Sequence, residues 1–124
     1  MGTLIEIDAA GGALPAYRSE PSGAPRGGLI LIHEIWGLVE HIRGVADRFA
    51  AEGYLVVAPD LLSGVGVVPE LGQELQDLTF NADEAKRMEA QPLMREKLAP
   101  ARSPEYGRWA VEALRDVVDH LSAQ

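Results

Sequence analysis

The chain contains no cysteine, which excludes disulfides, thiolate metal sites and a cysteine nucleophile drawn from these residues. It is also short of positive charge: eleven Lys and Arg stand against nineteen Asp and Glu, a formal net charge of -8, and no basic cluster runs along the sequence. With nothing to gather phosphates, a nucleic-acid partner is not expected. Apolar runs are short, none approaching the roughly 18 residues of a membrane span. Met1 to Glu6 also lacks the basic stretch and apolar segment of a signal peptide. No membrane association is expected, and the cytoplasm is the default location. The histidines His33, His41 and His120 have no spacing that suggests metal ligation, so no metal is expected.

What is present suits one folded domain. The 124 residues have the length of a single core, the apolar share is 47%, and charged residues at 24% are typical of a globular surface. Thr3 to Asp8 alternates, with Ile5 and Ile7 on one face and Glu6 and Asp8 on the other, as a half-buried strand would. Gly11 and Gly12 turn the chain, Leu14 to Arg18 can pair back, and Pro21, Ser22, Gly23 and Pro25 mark a loop. An antiparallel hairpin therefore opens the fold.

Gly28 to Ile32 differs in kind, being apolar at nearly every position, as expected of a strand covered by helices on both faces. Val39, Ile42, Val45, Ala46, Phe49 and Ala50 then follow helical spacing up to a cap at Gly53, and a second buried strand is expected over Tyr54 to Ala58. Strand, crossover helix and strand make a βαβ unit, which sets the class as α/β with parallel strands. Between Leu61 and Pro100 the pattern weakens. Leu71, Leu75 and Leu78 could line a short helix, Asn81 and Glu84 offer a capping box for another, and Pro92 should limit its length. The final segment is the clearest helix: Ser103 caps it, Pro104 suits its first turn, and Tyr106 to Leu121 forms one apolar stripe.

Residues His33-Glu34-Ile35-Trp36-Gly37 lie between the carboxyl end of a central strand and a helix, where open α/β sheets bind ligands. Placing a carboxylate, an imidazole and an indole there merely for packing would be costly. The run from Leu29 to Gly37, the helix from His41 to Gly53, and Tyr54-Leu55-Val56-Val57-Ala58-Pro59-Asp60-Leu61 together resemble the N-terminal part of the dienelactone hydrolases, or carboxymethylenebutenolidases. The likeness is firm over Leu29 to Leu61, looser over the opening hairpin and the last helix, and poor from Leu62 to Arg102.

That resemblance implies a partial α/β-hydrolase fold over residues 1–124 and a Cys-His-Asp triad that hydrolyses a lactone or carboxylic ester without a cofactor. The nucleophile would lie on a G-x-C-x-G-G or serine elbow after a helix like Glu105 to Leu121. No such elbow occurs here, since cysteine is absent and Ser19, Ser22, Ser63, Ser103 and Ser122 all lack the G-x-S-x-G setting. Two roles carry over from the resemblance. Glu34 matches the catalytic-site glutamate beside the nucleophile, and Ile35 matches the residue whose backbone N–H forms half of the oxyanion hole. Trp36 either lines the substrate pocket or packs in the core. His33 reads as a hydrogen-bonded side chain rather than a catalytic one, and Asp60 as the residue that orders the turn after the second strand. Arg87, Arg95, Arg102 and Arg108 are candidates to meet a substrate carboxylate.

The expected partners are a small ester or lactone and either a second copy of the chain or a polypeptide carrying the C-terminal half of the domain. A non-catalytic α/β binding module derived from such a hydrolase is the alternative. A nucleotide-binding module fits less well, because the first crossover has neither G-x-G-x-x-G nor a P-loop. A flavodoxin-like receiver fits no better, since its acidic pocket is not visible.

Overall fold

A computed structural model describes residues 2–124. Strands β1 (Thr3–Ala9) and β2 (Gly12–Ser19) form the antiparallel hairpin, followed by β3 (Gly28–Ile30), helix α1 (Glu40–Ala51) and β4 (Leu55–Pro59). A 3-10 turn (Leu61–Val65) leads to α2 (Pro69–Thr79) and α3 (Glu84–Leu98). A second 3-10 turn (Ala99–Arg102) precedes α4 (Pro104–Ser122). The sheet order is β1-β2-β4-β3, with β2 antiparallel to β4 and β3 parallel to β4. The chain is thus an antiparallel hairpin running into a parallel pair, flanked by helices.

The continuous apolar character of β4 follows from its place inside the sheet. Val57 faces α4, with Ile7, Leu14, Ala16, Ala113 and Val117. Val56 and Ala58 face the other way, among Tyr17, Leu38, Ile42, Ala46 and Ala50. With both faces covered, every second residue is as buried as its neighbour, and each fully buried valine contributes about 1.5–3 kcal/mol. The α1 face also carries a polar pin. The Tyr17 hydroxyl donates to Asp47 at 2.9 Å and accepts the Gly2 N–H at 2.8 Å, while Ser19 Oγ donates to Asp47 at 2.8 Å. Ser19 is fully buried, so this bonding is what allows a hydroxyl beneath the helix.

The structure moves several expected boundaries. The β3 ladder covers only Gly28–Ile30, although Leu31 still donates its N–H to the Val57 carbonyl at 3.0 Å. Nor is β3 the covered central strand expected: it lies at the sheet edge, Leu29 and Ile30 are half-buried and Ile32 is exposed. The cap of α3 is Asp83, whose side chain accepts the Ala85 N–H at 3.0 Å; Asn81 instead accepts the Asp83 N–H at 2.9 Å. The expected capping box between Asn81 and Glu84 is therefore replaced by two consecutive side-chain turns. Nor does Pro92 limit the helix, which runs through it to Leu98. Proline removes the bond to the Met88 carbonyl, but both residues are exposed and water can serve that oxygen.

Candidate active-site loop

The loop after β3 is held at several points. Nε2 of His33 accepts the Leu61 N–H at 3.0 Å, and Nδ1 meets the Glu34 carbonyl. That carbonyl also accepts the Gly37 N–H at 3.2 Å, closing a turn over 34–37 in which Gly37 adopts a φ of 80°, a conformation costly for residues with a side chain. Beneath the loop, Gly72 of α2 lies so close to the Trp36 carbonyl that a β-carbon there would collide with it. Sequence spacing alone gave no sign of that approach.

Asp60 sits below the same loop at the exit of β4, 3% exposed, its side chain accepting the Leu62 N–H at 3.2 Å. Its N–H donates to the Pro15 carbonyl at 2.8 Å and its carbonyl accepts from Ser63 Oγ at 2.7 Å. It orders the turn, as the sequence suggested. Burial pushes its carboxyl above the ordinary range, an effect opposed by His33 and by the surrounding N–H groups. Tyr106 of α4 donates to the Leu61 carbonyl at 2.8 Å, and burial, then the charge of Asp60, raises its hydroxyl.

Three neighbouring residues on the loop have three different fates. Glu34 is exposed, and Ile35 is 54% exposed at the mouth of a cavity. Among the described residues, no acceptor is paired with the Ile35 N–H. Trp36 is 7% exposed and packs with Val39 and Leu75, its ring edge-on to Phe80 at 6.0 Å. It therefore takes the core role, and the substrate-binding reading of Trp36 is not supported by its position.

The cavity beside Ile35 has a volume of about 470 Å³, with Leu62, Met94, Arg95, Leu98 and Arg102 in its wall. This sorts the candidate arginines. Arg95 and Arg102 border the cavity, whereas Arg87 is tied back to the Asn81 and Ala82 carbonyls at 2.8 and 2.9 Å, and Arg108 lies 3.8 Å from Glu105. The wall itself comes from the segment whose pattern was weakest. A signal was nevertheless there: Gln91, Met94, Arg95 and Leu98 recur at the spacing of one helix face. A roomier groove of about 600 Å³ lies between α1 and α2 under acidic side chains, away from Ile35. Among the described residues, no group of three or more His, Asp or Glu is arranged to hold a metal ion. No helix among the described residues is long and apolar enough to cross a membrane.

The model of the dienelactone hydrolase family matches residues 14–122. The chain belongs to the dienelactone hydrolase family. Among its relatives, protein usf of Aquifex pyrophilus is 40% identical over 68 residues, which cover 52% of this chain and 29% of that protein. A protein of Escherichia coli strain K12, named "Putative carboxymethylenebutenolidase", is 44% identical over 60 residues, covering 47% of this chain and 22% of its own length. A crystal structure from Klebsiella pneumoniae, described as a "Putative Dienelactone Hydrolase", superposes with a TM-score of 0.70 at 25% identity, over 100% of this chain and 44% of that one. A further structure, m3DLH, has a TM-score of 0.56 at 24% identity and shares the fold. Dienelactone hydrolase family members are hydrolases, and this chain spans less than half the length of these relatives. Its architecture is correspondingly a part of the α/β-hydrolase fold.

Proposed function

We propose that this chain supplies the oxyanion-hole loop of a hydrolase acting on lactone or carboxylic ester bonds, with the nucleophile coming from residues outside these 124. The observation that carries the reading is an unpaired Ile35 N–H on a loop pinned from two sides, at the mouth of a cavity bordered by Arg95 and Arg102. When a nucleophile attacks the acyl carbon, the carbonyl oxygen gains the electron pair and becomes an oxyanion. A donor fixed before reaction stabilises that charge without reorganising, and losing one such donor costs about 2.7–4 kcal/mol.

Ile35 provides one donor, and the residue after the nucleophile would provide the second. Exposed and adjacent, Glu34 would stand beside the nucleophile. Arg95 and Arg102 would meet a carboxylate on the substrate by charge-assisted hydrogen bonds. No cofactor is required for this chemistry. The edge position of β3 supports association with a complementing polypeptide, since a short apolar strand there leaves backbone groups free to pair.

The isolated chain should then show no hydrolysis of simple esters or lactones, because nucleophile and general base are both missing. Mixed with a polypeptide that begins at the nucleophile elbow, it should gain activity that Glu34→Ala diminishes. Hydrolysis by the purified chain alone, sensitive to Glu34→Ala, would overturn the reading. So would a demonstrated complex with no activity. Ligand binding without turnover in that complex would favour the alternative of a non-catalytic binding module.

A further inference from the structure

We propose that His33, as a neutral imidazole protonated at Nδ1, is the positioning residue of the Ile35 loop, and that protonating Nε2 releases it. This rests on the oxyanion role given to Ile35 above. Hydrogen-bond polarity fixes the tautomer. The Leu61 N–H can only donate, so Nε2 facing it at 3.0 Å must carry a lone pair, and the remaining proton lies on Nδ1, directed at the Glu34 carbonyl. One ring therefore spans two separate pieces of backbone, the exit of β4 and the residue before Ile35.

The span is rigid at both ends. On the β4 side, Leu61 is held by the Tyr106 hydroxyl on its carbonyl, and Asp60 just before it is held by Pro15, Leu62 and Ser63. On the loop side, the Glu34 carbonyl receives both Nδ1–H and the Gly37 N–H, so the peptide leading into Ile35 is fixed by the ring. The direction of the Ile35 N–H follows from that peptide plane, while the Gly72 contact holds the Trp36 carbonyl two peptides further along.

A second proton changes the sign of the contact. Two N–H groups would then face each other across 3.0 Å, where one acceptor and one donor now meet. Asp60, at the exit of β4, lies close enough to His33 to interact electrostatically, with Glu70 of α2 near Asp60. Tyr106 comes from α4, and Glu34 stands on the loop itself. With no acceptor left on the ring, the Leu61 N–H has no partner there, and the loop loses its tie.

The test uses the chain as it is, labelled with nitrogen-15. At pH 8 the His33 ring should show the Nδ1–H form, with slow exchange of the Leu61 amide. As the sample is acidified, the Ile35 and Leu61 amides should move together with the signals of the His33 ring. In His33→Gln, whose side-chain oxygen can accept from Leu61 but which has no titratable group, the Ile35 amide should be flat with pH. An Nε2–H ring at pH 8, or an Ile35 amide that ignores the His33 titration, overturns the proposal; the ring measurement needs no variant.

In the complemented enzyme, His33→Ala should lower kcat about tenfold or more with KM little changed, because the donor acts on the transition state. His33→Gln should restore kcat and flatten its acid limb. An unchanged kcat in His33→Ala, or the same loss in both variants, would also overturn the proposal. Absence of hydrolysis by the wild-type complex would instead sink the proposed function, leaving the ring and amide measurements to decide the tie.

Discussion

The βαβ unit from β3 to β4 and the segment 62–102 sit side by side, yet different forces shape them. In the first, a short stretch is buried on two faces at once: all five residues of β4 are buried, and α1 turns Ile42, Ala46 and Ala50 onto the sheet. In the second, α3 buries only Ala90 of fifteen residues, and it carries a proline in its interior. Few contacts hold α2 and α3 in place, chiefly Leu75, Gly72 and the half-buried Leu71, Leu93 and Met94 around Trp36. The loop proposed to carry the chemistry belongs to the well-buried part, while the cavity wall with Met94, Arg95 and Leu98 belongs to the sparsely anchored one. A division of labour follows under the proposed function: one part would fix where the reaction occurs, and the other could vary in what it admits.

The largest expected effect lies in the frame. Leu14 is 2% exposed in the cluster beneath α4, and Leu14→Ala leaves a cavity that rigid strands on either side cannot close. It should destabilise the chain by about 2–5 kcal/mol, read from urea unfolding. A loss well under that range would mean that the sheet collapses to fill the space, and that the frame is softer than its burial implies.

A middle effect is expected where the two parts touch. Gly72→Ala puts a methyl group against the Trp36 carbonyl, so either α2 shifts outward or the loop moves. Overpacking of this kind costs about 1–3 kcal/mol. Because α2 has fewer anchors, it should be the part that yields, with larger chemical-shift changes in 69–79 than in Val56 or Val57. The opposite distribution would reverse the assignment of rigid and loose parts.

Much of the frame was legible in the sequence, because a strand buried on two faces must be apolar throughout and a helix on one face must repeat. β4, α1 and α4 could be read that way, and the Asp60 turn from its turn chemistry, whereas the same rule misplaced Gly28 to Ile32, which lies at the sheet edge without a buried residue in β3. The loop was legible for a different reason: His33, Glu34 and Trp36 are expensive residues for a strand end. What could not be read depends on contacts between distant residues. The His33 bond to the Leu61 N–H joins positions 28 apart in sequence. The fit of Gly72 under Trp36 needs the path of α2, and Arg95 and Arg102 become distinct from Arg87 and Arg108 only when α3 is placed beside Ile35. Pro92 misled because a proline weakens a helix interior without forbidding it, and on α3 the freed Met88 carbonyl is open to water.

The smallest effect on the whole molecule, and the sharpest test of the comparison, comes from Pro92→Ala. Restoring an N–H at position 92 returns a partner to the Met88 carbonyl and removes the clash of the ring with that turn, which for a helix interior is worth up to about 3 kcal/mol locally. Local and global stability need not coincide, since a segment can open by itself at lower free energy than the whole chain. If α3 is tied to the frame only through the few contacts around Trp36, the gain should appear as slower amide exchange over 84–98, while the unfolding free energy of the sheet, from urea titration followed through the β4 amides, changes by less than about 0.5 kcal/mol. A change as large as the local gain would mean that the excursion and the frame unfold as one unit. The cavity wall would then be as fixed as the loop it faces, and Arg95 would be held in register with Ile35 rather than free to move.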